Sequence, residues 1–301
     1  MSKRALGVNI YPSFTVSKIR DYITLTKPRL LSSVLFSTGL GFVLPLDSVI
    51  TVLPLLYLLL GTALTGAGAH VLNQWMEQVP DSKMNRTKSR PLPMGRISEN
   101  EALVFGIIIS IAGITTLWLT LNLLTATLGL LTLFSYILVY TPLKTRTIAN
   151  TWFGGITGAL PPVMGWTAAR GQFDWEVLPI FALLYFWQLP HFFAIAWMYR
   201  HDYKKGGFRM LSLDDQTGRR TAVQMLYNTG LLFIASLAIY IIGQASVLYL
   251  TGAILLGLGF FAVITLFFRE SSVENARKVF LASIIYLPIL STILVLERFL
   301  Y

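Results

Sequence analysis

From Ala102 to Tyr140 the chain runs for nearly forty residues without a charged side chain, interrupted only by the polar Thr120 to Asn122. A bilayer core about 30 Å thick is crossed by roughly 20 helical residues, so this stretch demands two crossings rather than one. The same length criterion gives nine candidate spans: Leu30–Leu46, Ile50–Leu72, Ala102–Leu121, Leu123–Tyr140, Ile148–Ala168, Val177–Met198, Ala222–Ile242, Val247–Phe268 and Val279–Leu296. With 54% hydrophobic and 13% charged residues, the composition excludes an ordinary soluble domain. The absence of cysteine excludes disulfides, thiolate metal sites and thiol catalysis.

A net charge of +10 on a membrane protein is first a matter of topology. With the N-terminus on the cytoplasmic side, nine spans place 22 of the 24 Lys and Arg in inside segments, leaving only Arg170 and Arg298 outside. A wrong span count would scatter that bias, and no nucleic-acid partner is needed to explain the charge. The fold expected is therefore an all-α polytopic membrane protein with nine transmembrane helices and a cytoplasmic N-terminus. Residues 1–29 form a cytoplasmic or interfacial segment, and residues 30–301 form a single transmembrane domain. Val16 to Leu25 is expected as a short helix in the interface, with Lys18, Arg20 and Lys27 near anionic headgroups.

Chemistry concentrates between His70 and Ser98. Asn73, Glu77 and Asp81 recur at four-residue intervals, which puts an amide and two carboxylates on one stripe of a helix. Lys83, Arg86, Lys88, Arg90 and Arg96 follow in one loop. Magnesium takes oxygen ligands, commonly one or two carboxylates plus substrate phosphates, and arginine grips phosphate oxygens in bidentate fashion. Carboxylates at a helix end often serve only as caps, but ionisable groups this close to a span are costly unless they face a wet cavity. The reading is a magnesium–diphosphate site, with Arg86, Lys88 and Arg90 as diphosphate contacts. Pro80 is expected to break the helix near Asp81, and Pro91 and Pro93 to stiffen the loop.

Two further clusters lie at matching depth. In Tyr140 to Trp166, Lys144 and Arg146 can reach a phosphate, Asn150 offers an amide oxygen to a cation, and Tyr140 reads equally as an interfacial aromatic. In Trp187 to Leu211, Gln188 and His191 lie within a span. Asp202 follows about three turns later and offers a second metal carboxylate or a salt bridge to Lys204 or Lys205. No Walker A loop, metalloprotease pair or nucleophile elbow occurs in the chain.

Together the stripe, MNRTKSRPLPMGRIS, TPLKTRTIANTWFGGITGALPPVMGW, WQLPHFFAIAWMYRHDYKKGGFRML and the TKPR of Thr26 to Arg29 resemble the UbiA superfamily of intramembrane prenyltransferases, most closely its heme branch. One departure from most of the superfamily is that the four-residue partner of Asp202 is Met198 rather than an aspartate.

The resemblance implies transfer of the farnesyl group of farnesyl diphosphate to a vinyl group of heme B, with addition of water, to give heme O. It implies Mg2+ as cofactor, held by Asn73, Glu77, Asp81, Asn150 and Asp202. Asn73, Glu77, Asp81, Lys144 and Asp202 are then catalytic, Arg86, Lys88, Arg90, Lys144 and Arg146 hold the diphosphate, and His191, Gln188 and Tyr140 contact the heme. The implied setting is the bacterial cytoplasmic membrane with the site facing the cytoplasm, with heme A synthase or the terminal-oxidase assembly machinery as protein partners. A quinone precursor is the nearest alternative acceptor. A transporter is the alternative of another class, and it would spread polar residues through several spans instead of gathering them at one face.

Overall fold

The computed structural model describes residues 11–45 and 52–300, and every regular element among them is helical. Residues 1–10, the span ends Leu46 and Ile50, and Tyr301 lie outside the described residues. The helices in chain order are α1 (Tyr11–Leu25), α2 (Pro28–Val43), α3 (Val52–Met76), α4 (Gln78–Lys83), α5 (Glu99–Thr120) and α6 (Leu123–Phe134). They continue with α7 (Thr141–Arg146), α8 (Asn150–Arg170), α9 (Leu178–Met198), α10 (Arg200–Gly206), α11 (Leu211–Asp214), α12 (Arg219–Ile241), α13 (Val247–Arg269) and α14 (Val273–Leu300). A π-helical turn, Ser135–Tyr140, joins α6 to α7 without a break.

Each expected span falls on one of these helices, but the count of nine is not reproduced by length and composition. Seven helical segments are long and apolar enough to cross a membrane. The two that fall short are α2, only 16 residues long, and α8, which carries five glycines or prolines between Gly154 and Pro162 and begins on Asn150. Those two pack on each other. A Cβ on Gly165 would stand 2.1 Å from the Thr38 carbonyl oxygen, and one on Gly41 would stand 1.9 Å from that of Pro162. The small residues that lower the hydropathy of α8 are thus what lets two backbones touch.

Polar side chains are buried among the apolar core while large apolar side chains cover the outer surface, the inverse of a soluble protein's exterior. Thr38, Thr62, Thr65, Asn73, Thr125 and Asn228 are buried, whereas Ile108, Ile111, Leu119, Leu255 and Leu258 are exposed. That inversion suits hydrocarbon as the solvent, because every polar group must find a partner within the protein. Contacts also separate two ends. Asn122 donates to the Thr167 carbonyl, Gln244 to that of Glu176, and Glu297 accepts from the backbone of Ser246 and Tyr249, all at one end. The opposite end gathers α4, α7, α10 and the loops rich in Lys and Arg.

The N-terminal segment differs from the expectation in two ways. Its helix begins at Tyr11 instead of Val16, and two of its three cations turn to the protein rather than to headgroups. Lys18 pairs with Glu101, and Lys27 reaches Asn73. Arg96 holds Asp21 at 3.0 Å, and Tyr22 meets Phe105 edge to face, so α1 is strapped along the start of α5.

Candidate functional site

The helix break falls at Glu77, four residues before the expected one at Asp81. A proline ring clashes with the carbonyl four residues earlier, so Pro80 forbids regular helix through Met76 and not through itself. Pro80 then sits in the first turn of α4, where its missing N–H costs nothing. The chain hardly leaves its path, since Glu77 N donates to Asn73 O at 3.0 Å and Asp81 N to Glu77 O at 2.8 Å. Asn73, Glu77 and Asp81 therefore keep their common stripe, and all three are buried.

Each member of the stripe meets a cation. Lys27 Nζ donates to Asn73 Oδ1 at 2.9 Å. Lys144 Nζ stands 2.8 Å from Glu77 Oε1, at angles that leave this buried oxygen without a hydrogen-bond donor. Arg90 Nη1 pairs with Asp81 Oδ2 at 2.5 Å. The Asn73 amide also donates to Thr141 Oγ1 at 3.1 Å, which ties the stripe to α7.

Lys144 is delivered by the π-helical turn. Thr141 N donates five residues back to Tyr136 O instead of four, and its hydroxyl donates to the same oxygen at 2.8 Å. Pro142 follows, so the widened turn occurs where a proline would otherwise strain the ladder. Lys144 lies over the Tyr140 ring at 4.6 Å and near Phe208 at 5.8 Å. Tyr140 packs against Gly154. It thus packs with the ion-paired cluster; the expectation for it was a heme contact.

Lys27 is a member of this cluster that sequence reasoning did not place there. It is the one non-glycine residue with positive φ among the described residues, at φ 51°, a backbone state that side chains with a Cβ avoid. Three side chains of α3 pin its turn. His70 Nδ1 donates to Thr26 O at 2.8 Å, Gln74 donates to Leu25 O at 2.6 Å, and Asn73 accepts from Lys27 itself. Burial, then Arg90 and Lys144 nearby, push the Lys27 ammonium down to about 7 against the pull of Glu77 and Asp81. The cluster is therefore short of negative charge, which an anionic ligand would supply. The available signal was a cation directly before a span, at the same end as the stripe.

The remaining candidates divide. Asp202 Oδ2 accepts from Arg86 N at 3.0 Å, so it fastens the loop after α4 to α10. The Arg86 guanidinium lies over Tyr199 and Tyr203, at 5.4 and 5.7 Å. The Asn150 amide donates to Thr147 O and Arg209 O, each at 2.6 Å, and Arg209 N donates to Lys144 O. Asn150 thereby holds the loop that backs Lys144. Among the described residues Lys88 meets Asn85 only, and Arg146 is exposed.

Gln188 and His191 leave α9 in different directions. Gln188 packs on Gly158 of α8 and donates to Leu184 O at 3.0 Å. His191 faces α14, with Nδ1 2.8 Å from Ser283 Oγ, and it stacks on Trp187 and tilts against Phe280.

The stripe fits a hard divalent cation in donor chemistry, offering one amide and two carboxylates. Glu77 Oε1 is the oxygen with no hydrogen bond to lose. Among the described residues no group of three or more acidic or histidine side chains converges on a metal position, so Asp202 is not brought to Glu77 and Asp81. Such a site would complete its shell with phosphate oxygens and water.

Known proteins share both sequence and fold. A protoheme IX farnesyltransferase of Solibacter usitatus (strain Ellin6076) is 43% identical over 289 residues, spanning 93% of this chain and 99% of that protein. A mitochondrial protoheme IX farnesyltransferase of Arabidopsis thaliana is 39% identical over 280 residues, spanning 93% of this chain and 65% of that one. A solved structure of digeranylgeranylglyceryl phosphate synthase superposes with a TM-score of 0.79 at 20% identity, covering 94% and 99% of the two chains. A UbiA homologue from Archaeoglobus fulgidus bound to GPP and Mg2+ superposes at 0.68 and 14% identity, covering 93% and 98%. The model of the UbiA prenyltransferase family matches residues 34–284, and with relatives this similar over nearly its whole length the chain belongs to that family.

Proposed function

We propose that this chain transfers the farnesyl group of farnesyl diphosphate to a vinyl group of heme B, with addition of water, giving heme O and diphosphate. The observation that carries the reading is 43% identity, over 93% of the chain, to a protein named for that transfer. The geometry supports it. A stripe of buried oxygens and three cations drawn onto it suit an anionic leaving group, and an aromatic-walled histidine lies on another helix pair.

In this reading Mg2+, held by Asn73, Glu77 and Asp81, supplies charge neutralisation to the departing diphosphate. Lys27, Lys144 and Arg90 exchange their present partners for diphosphate oxygens, joined by the exposed Arg86, Lys88 and Arg146. The carbon–oxygen bond at C1 of the farnesyl chain breaks, and its electron pair leaves with the diphosphate. The π pair of the vinyl group forms the new carbon–carbon bond to C1. The cation left next to the porphyrin takes water and loses a proton. The apolar interior keeps water from the allylic cation before that bond forms. Asp202 braces the loop that carries Arg86, and Asn150 the loop that backs Lys144. The site faces the cytoplasm, because the Lys- and Arg-rich loops gather at its end of the bundle.

The test is incubation of the purified, lipid-reconstituted protein with heme B, farnesyl diphosphate and Mg2+, with mass-spectrometric detection of heme O. Chelation by EDTA should abolish the product and added Mg2+ restore it. Absence of heme O from folded protein, or product from a quinone precursor in its place, overturns the assignment.

A further inference from the structure

His191 is held on three sides. Its ring stacks on Trp187 with centroids 5.4 Å apart and meets Phe280 of α14 at 4.9 Å. The Trp187 indole donates to Ser283 O at 2.8 Å, which fixes the first of these rings to the same residue that bonds the histidine. The bond between His191 Nδ1 and Ser283 Oγ, 2.8 Å long, has a direction that can be deduced. Ser283 Oγ also lies 2.6 Å from Phe280 O. A carbonyl oxygen only accepts, so at that distance the single hydroxyl proton must point to it. The serine oxygen is then an acceptor toward the ring, and Nδ1 must carry a proton.

A neutral imidazole has one N–H, so Nε2 presents a lone pair. Nε2 makes no hydrogen bond among the described residues, and the side chain is only half-buried. A nitrogen in this state cannot donate to a carboxylate such as a porphyrin propionate, but it can bind a metal. Histidines that bind metals through one nitrogen usually donate the other N–H to an oxygen, which fixes both tautomer and ring orientation.

We propose that Ser283 is a positioning residue that locks His191 as the Nδ1–H tautomer, so that Nε2 binds the iron of the heme substrate during prenyl transfer. This rests on the heme reading above and deepens it from a contact with the porphyrin to a bond with its iron. Ser283 itself is fully buried beneath the ring.

The test titrates ferric heme B into the purified full-length protein, following the Soret band and the electron paramagnetic resonance signal. Wild type should give an imidazole-ligated spectrum that His191→Ala lacks. Ser283→Ala should weaken heme affinity about tenfold, with a mixed-ligation spectrum. Ser283→Thr, which keeps the hydroxyl, should return both affinity and spectrum to within about twofold of wild type, a rescue that loss of packing alone would not produce. If Ser283→Ala matches wild type while His191→Ala loses the ligated spectrum, the positioning role falls and the heme reading stands. If His191→Ala keeps the wild-type spectrum, iron ligation falls, and the heme O assay decides separately whether heme is still the acceptor.

Discussion

The stripe on α3 and α4 and the histidine on α9 place polar groups in the same apolar bundle by opposite means. At the stripe, Asn73, Glu77 and Asp81 are matched one to one with Lys27, Lys144 and Arg90. At the other place a single imidazole is walled by Trp187, Phe192 and Phe280 and makes one hydrogen bond to Ser283. The first arrangement is a set of exchangeable partners, in which charges hold one another until a more strongly charged ligand arrives. The second is fixed, since among the described residues the ring hydrogen-bonds to Ser283 alone. Diphosphate chemistry demands the first, because charge grows and departs, whereas a flat apolar acceptor demands the second.

Breaking the exchangeable side should have the largest effect. Asp81→Ala leaves Arg90 without its carboxylate partner and removes a carboxylate from the stripe. Heme O formation should fall by about a hundredfold or more, and thermal stability should drop, since breaking a buried ion pair costs about 3 kcal/mol. Activity within a factor of two of wild type would remove Asp81 from the chemistry. Lys27→Gly separates charge from fold. Glycine accepts the left-handed backbone freely, so the melting temperature should hold or rise while the KM for farnesyl diphosphate rises about tenfold. A fall in melting temperature with unchanged KM would make Lys27 a structural residue.

On the fixed side, His191→Ala should raise the KM for heme roughly tenfold and leave farnesyl diphosphate binding intact. Equal effects on both substrates would mean that the two regions are one site. Lys88→Ala should change turnover less than about twofold, because an exposed lysine hydrogen-bonded to Asn85 contributes little. A larger loss would extend the exchangeable set into the loop.

Much of this was legible in the sequence, and the parts that were not have physical reasons. The period of four in Asn73, Glu77 and Asp81 survives the helix break because the backbone bonds continue through it. Arg90 and Lys144 were legible as cations, but their partners were not, since pairing across helices depends on rotamers and crossing angles. Lys27 was hidden because its role depends on a backbone reversal pinned by residues nearly fifty positions away. Gln188 and His191 look like one polar pair in the chain. On the helix three residues turn through about 300°, so one side chain reaches α8 and the other α14.

The π-helical turn at Ser135–Tyr140 has a consequence for lineage and for engineering. It absorbs one residue beyond regular helix directly before Pro142, whose ring would clash in a regular helix with the carbonyl four residues earlier. Deleting one residue there would force that clash and disturb the turn that presents Lys144 to Glu77, leaving the span itself as apolar as before. A chain shortened in this way should insert into the bilayer as well as its parent, yet bind diphosphate poorly. For this helix, then, length in the membrane and aim into the site are separately adjustable, and a single codon lies between them.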